Sequence, residues 1–336
     1  MAIIHVLPDL LVNRIAAGEV IERPASAVKE LLENSIDSEA TRIELTVEDG
    51  GRRLIRVTDN GSGMGPDDVA LCVVPHATSK IDCEDDLFAI GTMGFRGEAL
   101  ASIGAVSELH VVSRRREAEA GCEVCVAGDK VEGPKVVGAP VGTTVEVRSL
   151  FFNVPARQKF LRTAQTEFGH IVEQVARVAL AHPRIEFRVV HNGREAYRLP
   201  ASDSLRTRVA DFYGSELAES LIAVRREERG VTVGGCVAAP AQSRSARRWE
   251  YTFLNGRFIR DRFVQHAVRE AYRGLIDPNR FPVTFLTLTM EPSDVDVNVH
   301  PTKIEVRWRD SNLIHSAVLA ALRDTFLQRD LTSSLS

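Results

Sequence analysis

The sequence predicts a mixed α/β chain divided into two domains. At 336 residues it is longer than a single core usually extends before a chain divides. Segments such as Ile43, Leu45, Val47 and Ile55, Val57, Asp59 alternate as half-buried strands do. Between such segments lie stretches with helical spacing, the most informative of them carrying residues 30 to 37.

In chain order, Pro8 to Ala17 reads as a helix that stops at Gly18. Pro24 sits near the first position of the next helix, where its missing N–H costs nothing. Asp49-Gly-Gly51 turns one strand into another that ends at Asp59, and Pro66-Asp-Asp68 opens a short helix. Residues 72 to 97 carry loop signals, and a loop that long in a compact domain is often a lid. Strands are expected near 107–114, 121–128, 131–138 and 143–149, then one long helix from about 156 to 181 and a hairpin over Asn192-Gly193. A boundary falls near Pro200-Ala-Ser-Asp-Ser204. Beyond it, strands at about 221–226, 231–238 and 249–254 lead to a tight turn at Asn255-Gly256. A helix at 261–273, strands at 283–290 and 303–308, and a last helix near 311–328 complete the order.

On the helix from residue 30, Val28, Leu31, Leu32, Ser35 and Ile36 share one face, while Glu30, Glu33, Asn34 and Asp37 share the other. Alone, that polar face is what any solvated helix shows. Its oxygens also suit a hard cation such as Mg²⁺ shared with substrate phosphates, with a neighbouring Glu placed to activate a water. Two glycine-rich loops follow. Asp59-Asn-Gly-Ser-Gly-Met-Gly65 ends a strand, and an acid on an apolar face needs a donor, such as the amino group of adenine. Gly91-Thr-Met-Gly-Phe-Arg-Gly97 runs into a helix start, where backbone N–H groups meet anions. No Gly-x4-Gly-Lys-Ser/Thr loop and no dinucleotide fingerprint is present, so a nucleotide would bind by another route.

These three elements in this order resemble the GHKL ATPases, and the resemblance narrows to the MutL mismatch-repair family. It is carried by Ile15-Ala-Ala-Gly-Glu-Val-Ile-Glu-Arg-Pro-Ala-Ser26, Lys29-Glu-Leu-Leu-Glu-Asn34, Pro75-His-Ala-Thr-Ser-Lys-Ile81 and Gly94-Phe-Arg-Gly-Glu-Ala-Leu100. Leu150-Phe-Phe-Asn-Val-Pro-Ala-Arg157, Phe253-Leu-Asn-Gly-Arg257 and Val297-Asn-Val-His-Pro-Thr-Lys303 extend it to about residue 310.

The resemblance implies a Bergerat-type sandwich over 1–202 and a transducer domain over 203–330, followed by a polar tail at 331–336. The transducer would be a smaller ribosomal-protein-like α/β domain with a left-handed βαβ crossover. The cofactors implied are ATP and Mg²⁺. Glu30 would be the general base, with Asn34 as metal ligand and Asp37 beside it. Asp59 would accept from adenine, and Gly63 would line the base pocket. Thr78, Ser79, Lys80, Gly94, Phe95, Arg96 and Gly97 would form the lid over the phosphates. Lys303 would reach the γ-phosphate from the second domain. Family members continue into a C-terminal dimerisation domain, so the chain is expected to be an N-terminal portion or a short member.

Composition excludes several classes. The net charge of −4 gives no global basic field, and no apolar run approaches a membrane span. With no secretory layout and an odd five cysteines, an intracellular protein is expected, cytoplasmic if bacterial or nuclear if eukaryotic. Cys122 and Cys125 lie three apart in a strand, pointing to opposite faces. His76 and His300 lack a second ligand at metal spacing, which favours positioning roles. No Gly-x-Ser-x-Gly nucleophile is present.

Between residues 244 and 262, Arg244, Arg247, Arg248, Arg257, Arg260 and Arg262 face only Glu250 and Asp261. Little aromatic interleaving is read there, so backbone contacts to DNA are expected rather than base stacking. Arg114, Arg115 and Arg116 form a second cluster. The expected partners are DNA, a second copy through ATP-dependent association, a MutS-type mismatch-recognition protein and a downstream nuclease or helicase. Three alternatives stand beside this reading: a non-hydrolysing ATP-switched scaffold, a GHKL protein kinase, and a carboxylate metalloenzyme of another class.

Overall fold

The computed structural model describes residues 17, 18, 20–81, 83, 90–128, 130–299 and 304–329. Two compact units emerge: residues 1–83, 92–176 and 184–201, and residues 84–91, 177–183 and 202–336. The helix expected at Pro8 to Ala17 lies almost wholly outside the described residues.

The first unit is built on an eight-stranded sheet. Its order is β5 (Lys130–Val137), β4 (Gly121–Ala127), β3 (Glu108–Arg114), β6 (Gly142–Arg148), β2 (Leu54–Asp59), β1 (Arg42–Glu48), β7 (Glu186–His191) and β8 (Arg194–Leu199). Every neighbouring pair is antiparallel except β1 and β7. Ile43, Leu45 and Val47 of β1 are buried, as are Ile55, Val57 and Asp59 of β2, so alternation set the buried face correctly. Asn192 (φ 50) and Gly193 (φ 77) make the β7–β8 hairpin with two left-handed residues.

Helix α1 (Pro24–Asp37) begins with Pro24 at its first turn and packs on β2. Leu31 and Leu32 are almost fully buried, each worth roughly 1.5–3 kcal/mol. Leu32→Ala would cost about 2–5 kcal/mol through the cavity it leaves. The helix ends where Glu39 turns left-handed (φ 60) and the Ala40 N–H closes back on Ser35 O at 3.1 Å. Short helices α2 (Pro66–Leu71) and α3 (Ala99–Ala105) follow, and α3 also meets α1.

The long helix expected from 156 to 181 is two: α4 (Pro155–Phe160) and α5 (Ala164–Ala181). Leu161 is extended, the Arg162 N–H donates to the buried Glu167 at 2.9 Å, and Thr166 N donates to Thr163 Oγ1 at 3.3 Å. Thr163 and Glu167 thus start a new helix, and hydrophobic period alone does not register such a restart.

The second unit adds α6 (Leu205–Tyr213) and α7 (Ser215–Ser220), which hydrophobic patterning does not announce, before its five-stranded sheet. Strand order is β12 (Arg257–Ile259), β11 (Glu250–Leu254), β13 (Thr284–Thr289), β10 (Val231–Ala238) and β9 (Leu221–Glu228), with β11 and β13 parallel. Helices α8 (Arg262–Ala271) and α9 (Ser311–Gln328) pack together beside this sheet. The strand expected at 303–308 reduces to Arg307–Trp308 (β15), paired with Val295–Asp296 (β14); residue 303 is outside the described set. Among the described residues no helix is long and apolar enough to cross a membrane.

Candidate active site

The polar face of α1 is not a solvated face. Glu30, Asn34 and Asp37 are half-buried and Glu33 is only 4% exposed. Carboxylates are rarely placed there without partners. Lys29 supplies one: its ammonium lies 2.8 Å from Glu30 and 2.9 Å from Glu33. Burial works against that ammonium, yet Glu33 and Glu30 outweigh it and hold Lys29 above the ordinary lysine value.

The C-terminal turn of α1 organises both glycine loops. Asp37 accepts from the backbone N–H of Met93 at 2.7 Å and of Gly94 at 3.0 Å. The Lys80 ammonium donates to Asp37 Oδ2 at 2.7 Å and to Asn34 Oδ1 at 2.9 Å. A Cβ added at Gly94 would lie 3.3 Å from Lys80 Nζ, 3.6 Å from Asn34 Oδ1 and 3.7 Å from Asp37 Oδ2, so Gly94 lies directly against this cluster. Gly97 (φ 64) presses against the Ala77 carbonyl, where a Cβ would come within 2.3 Å, and its own carbonyl accepts from His76 N. Thr78 Oγ1 accepts from Lys80 N at 3.2 Å. Ser79 and Arg96 are exposed, whereas Phe95 is buried, which gives Phe95 a packing place rather than an exposed ligand surface.

On the sheet side, Asp59 ends β2 with a buried carboxylate. Ser35 Oγ donates to it at 2.8 Å, Gly61 N at 2.9 Å and Thr143 N at 3.3 Å. Burial raises its pKa, and these three hydrogen bonds only partly offset that. The expected donor requirement is therefore met largely from within the chain, and of the three donors Thr143 carries no mark in the sequence. Strand order explains Thr143: Asp59 pairs with Thr143 and Thr143 with Ser113, which puts Asp59, Thr143 and Ser113 in one row across β2, β6 and β3. Ser113 Oγ accepts from Met64 N at 2.8 Å and so fastens the first loop. Gly63 (φ 68) has a structural requirement of its own, since a Cβ would meet Arg114 O at 2.1 Å.

Lys303 and His300 lie outside the described residues. In the second unit, Arg244, Arg247, Arg248, Arg260 and Arg262 are exposed, but Arg257 is not. At 6% exposure, in a strand paired through Leu254, Arg257 does not present its guanidinium to a surface ligand, which corrects its grouping with the others. The expectation of little aromatic interleaving is corrected: Trp249, Tyr251, Phe253, Phe258 and Phe263 lie among or beside these arginines. Arg248 lies 5.4 Å from the Trp249 ring and Arg262 4.9 Å from the Phe263 ring, distances at which ring and cation attract. Arg247 is tied to Glu250 at 3.1 Å, and Arg115 to Asp68.

The first unit's sheet, with its helix-borne amide and carboxylates over a strand-end acid and two glycine loops, has the architecture of the GHKL ATPase class. Residues 21–132 match the family model for histidine kinase-, DNA gyrase B-, and HSP90-like ATPases, and residues 209–327 match that for the DNA mismatch repair protein C-terminal domain. Among solved structures, the Aquifex aeolicus MutL ATPase domain complexed with ADP is 30% identical with a TM-score of 0.63, over 89% of this chain and 98% of that one. An N-terminal domain of a DNA repair protein reaches a TM-score of 0.81 at 25% identity, over 95% of this chain and 99% of that one. The chain belongs to the MutL DNA mismatch repair family. MutL of Syntrophotalea carbinolica is 50% identical over 99% of this chain and 53% of its own length, and that of Geobacter sulfurreducens 47% identical over 96% and 53%. The chain thus spans about half the length of these curated relatives.

Proposed function

We propose that the first unit binds ATP with Mg²⁺ at the polar face of α1 and hydrolyses it slowly, as the nucleotide-driven part of a MutL-type mismatch-repair protein. One observation carries this reading: a single helical turn holds both glycine loops, through Asp37 to Met93 and Gly94 and through Ser35 to Asp59. A ligand engaging either loop therefore acts on the same helix that carries Glu30 and Asn34.

The donor set fits the metal. Asn34 and Asp37 already hold a cation, the Lys80 ammonium, between an amide oxygen and a carboxylate oxygen. Asn34 would hold Mg²⁺, which when bound supplies charge neutralisation on the phosphates. Lys80, Thr78, Ser79, Gly94, Arg96 and Gly97 would border the phosphates, with Phe95 anchoring that loop from beneath. Asp59 has three of its roughly four acceptor positions filled by the chain, leaving capacity for one amino group such as that of adenine. Glu30, one turn before Asn34, would take the proton of the attacking water, and Lys29 fixes where its carboxylate points. The role of Lys303 at the γ-phosphate rests on the family resemblance alone.

Family membership supports the wider reading. ATP would favour association of two copies, sequence-tolerant DNA binding through Arg244, Arg248, Arg260 and Arg262, and cooperation with a MutS-type protein and a downstream nuclease or helicase. Calorimetry with a non-hydrolysable ATP analogue tests the core of this. Binding should require Mg²⁺ and weaken by roughly tenfold or more in Asn34→Ala, the worth of one charge-assisted contact. Sedimentation of the same samples should show a monomer-to-dimer shift. Affinity independent of both Mg²⁺ and Asn34 would overturn the site.

A further inference from the structure

Helices α8 and α9 meet along an apolar seam that includes Val264, Ala267 and Val268 on one side and Ile314, Val318 and Ala321 on the other. At the rim of that seam three metal-ligating side chains converge. His266 Nδ1 lies 2.9 Å from His315 Nε2, and the same His315 nitrogen lies 3.5 Å from Glu270 Oε2. His266 and Glu270 are one turn apart on α8, on one face; His315 comes from α9.

We propose that His266, Glu270 and His315 form a binding site for a late first-row divalent ion of the zinc type, clamping α8 to α9. Bonds of about 2.0–2.2 Å at tetrahedral angles place ligand atoms about 3.3–3.5 Å apart. Two of the three separations, 2.9 and 3.5 Å, bracket that spacing, and all three ligand atoms lie within 4.8 Å of one another, so rotation of these side chains brings them onto one ion. Two neutral imidazoles facing each other share one proton between two nitrogens, and a metal ion uses both lone pairs at once. The carboxylate is already oriented, because Glu270 Oε1 accepts from Arg323 at 3.1 Å and Oε2 is left toward His315. The partial exposure of the cluster lets water complete the coordination. Two imidazoles with one carboxylate select against the oxygen-seeking Mg²⁺, so this site and the α1 face take different ions.

The test titrates the whole chain, stripped with a chelator, with zinc chloride alone in nucleotide-free buffer by calorimetry, alongside His266→Gln, His315→Gln and Arg323→Gln. The expected result is one saturable site that both histidine variants lose and that Arg323→Gln weakens about tenfold. Zinc should raise the melting temperature of the wild type and leave both histidine variants unmoved. Their melting in chelator, compared with wild type, verifies that they fold. Unchanged zinc affinity in folded His266→Gln and His315→Gln, or no saturable binding to the wild type, would overturn the proposal.

Discussion

The Lys80 ammonium sits 2.7 Å from Asp37 Oδ2, the same oxygen that receives the Gly94 N–H at 3.0 Å. One carboxylate on the end of α1 therefore ties down two separate segments of loop. Lys80 also occupies Asn34, so it competes with any cation for that oxygen. Lys80→Met should tighten binding of Mg²⁺ alone and weaken binding of the Mg·ATP analogue, each by about tenfold, or roughly 1.4 kcal/mol. Calorimetry with the two ligands checks it; movement in the same direction would mean that Lys80 only supports the loop.

Asp59 sets function against stability. A carboxyl whose pKa is raised by folding contributes stability that is fully present below its unfolded value and lost as pH rises through the folded one. Above its folded value the charged Asp59 is therefore a cost to the fold. Asp59→Asn should weaken nucleotide binding by about 1–3 kcal/mol. Its melting temperature relative to wild type should improve as pH rises from the ordinary carboxylate value of 3.8 through the folded value. A constant deficit across that range in thermal melts would show that the lost carboxylate acceptors outweigh the relief.

Lys29 gives the opposite pH signature. Its folded pKa is raised, so its contribution is complete below the ordinary lysine value of 10.5 and fades as pH climbs through the folded value. Lys29→Met should lose about 3–5 kcal/mol at neutral pH, because buried Glu33 and half-buried Glu30 lose the ammonium held between them. Denaturant melts at pH 7 and above 10.5 should show the gap to wild type narrowing at the alkaline end.

The exposed arginines separate from the buried one. Arg260→Glu and Arg262→Glu should each flatten the log–log salt dependence of DNA binding by roughly 0.7–0.9 per lost phosphate contact, for any sequence. Arg257→Glu should instead unfold or destabilise the second unit, since the new carboxylate would be buried. A folded Arg257→Glu with the same salt slope change would place Arg257 on the DNA surface after all.

Much of this arrangement was legible in the sequence, and the limits have physical reasons. Hydrophobic period locates α1, β1, β2 and the face of Asp59, because burial of one side imposes that pattern locally. It does not tell that the opposite face of α1 is covered too, since Glu33 and Lys29 look alike whether solvated or paired. Ser113 and Thr143 come beside Asp59 only through the order β3-β6-β2, a long-range pairing with no local mark. His266 and His315 converge through helix packing across 49 positions, and a search for ligand spacing along the chain passes over them. Arg257 belongs to a basic run in sequence, yet strand alternation turns it inward beside exposed Arg260.

The central claim, that α1 carries an ATP-hydrolysing centre with Glu30 as its base, is tested most directly by single-turnover hydrolysis under saturating Mg·ATP. Glu30→Ala should bind the nucleotide as tightly as wild type and hydrolyse it roughly 10² to 10⁴ times more slowly, the usual worth of a positioned base. Wild-type hydrolysis in Glu30→Ala, measured on a preparation free of contaminating ATPase, would contradict the account and remove Glu30 from the mechanism.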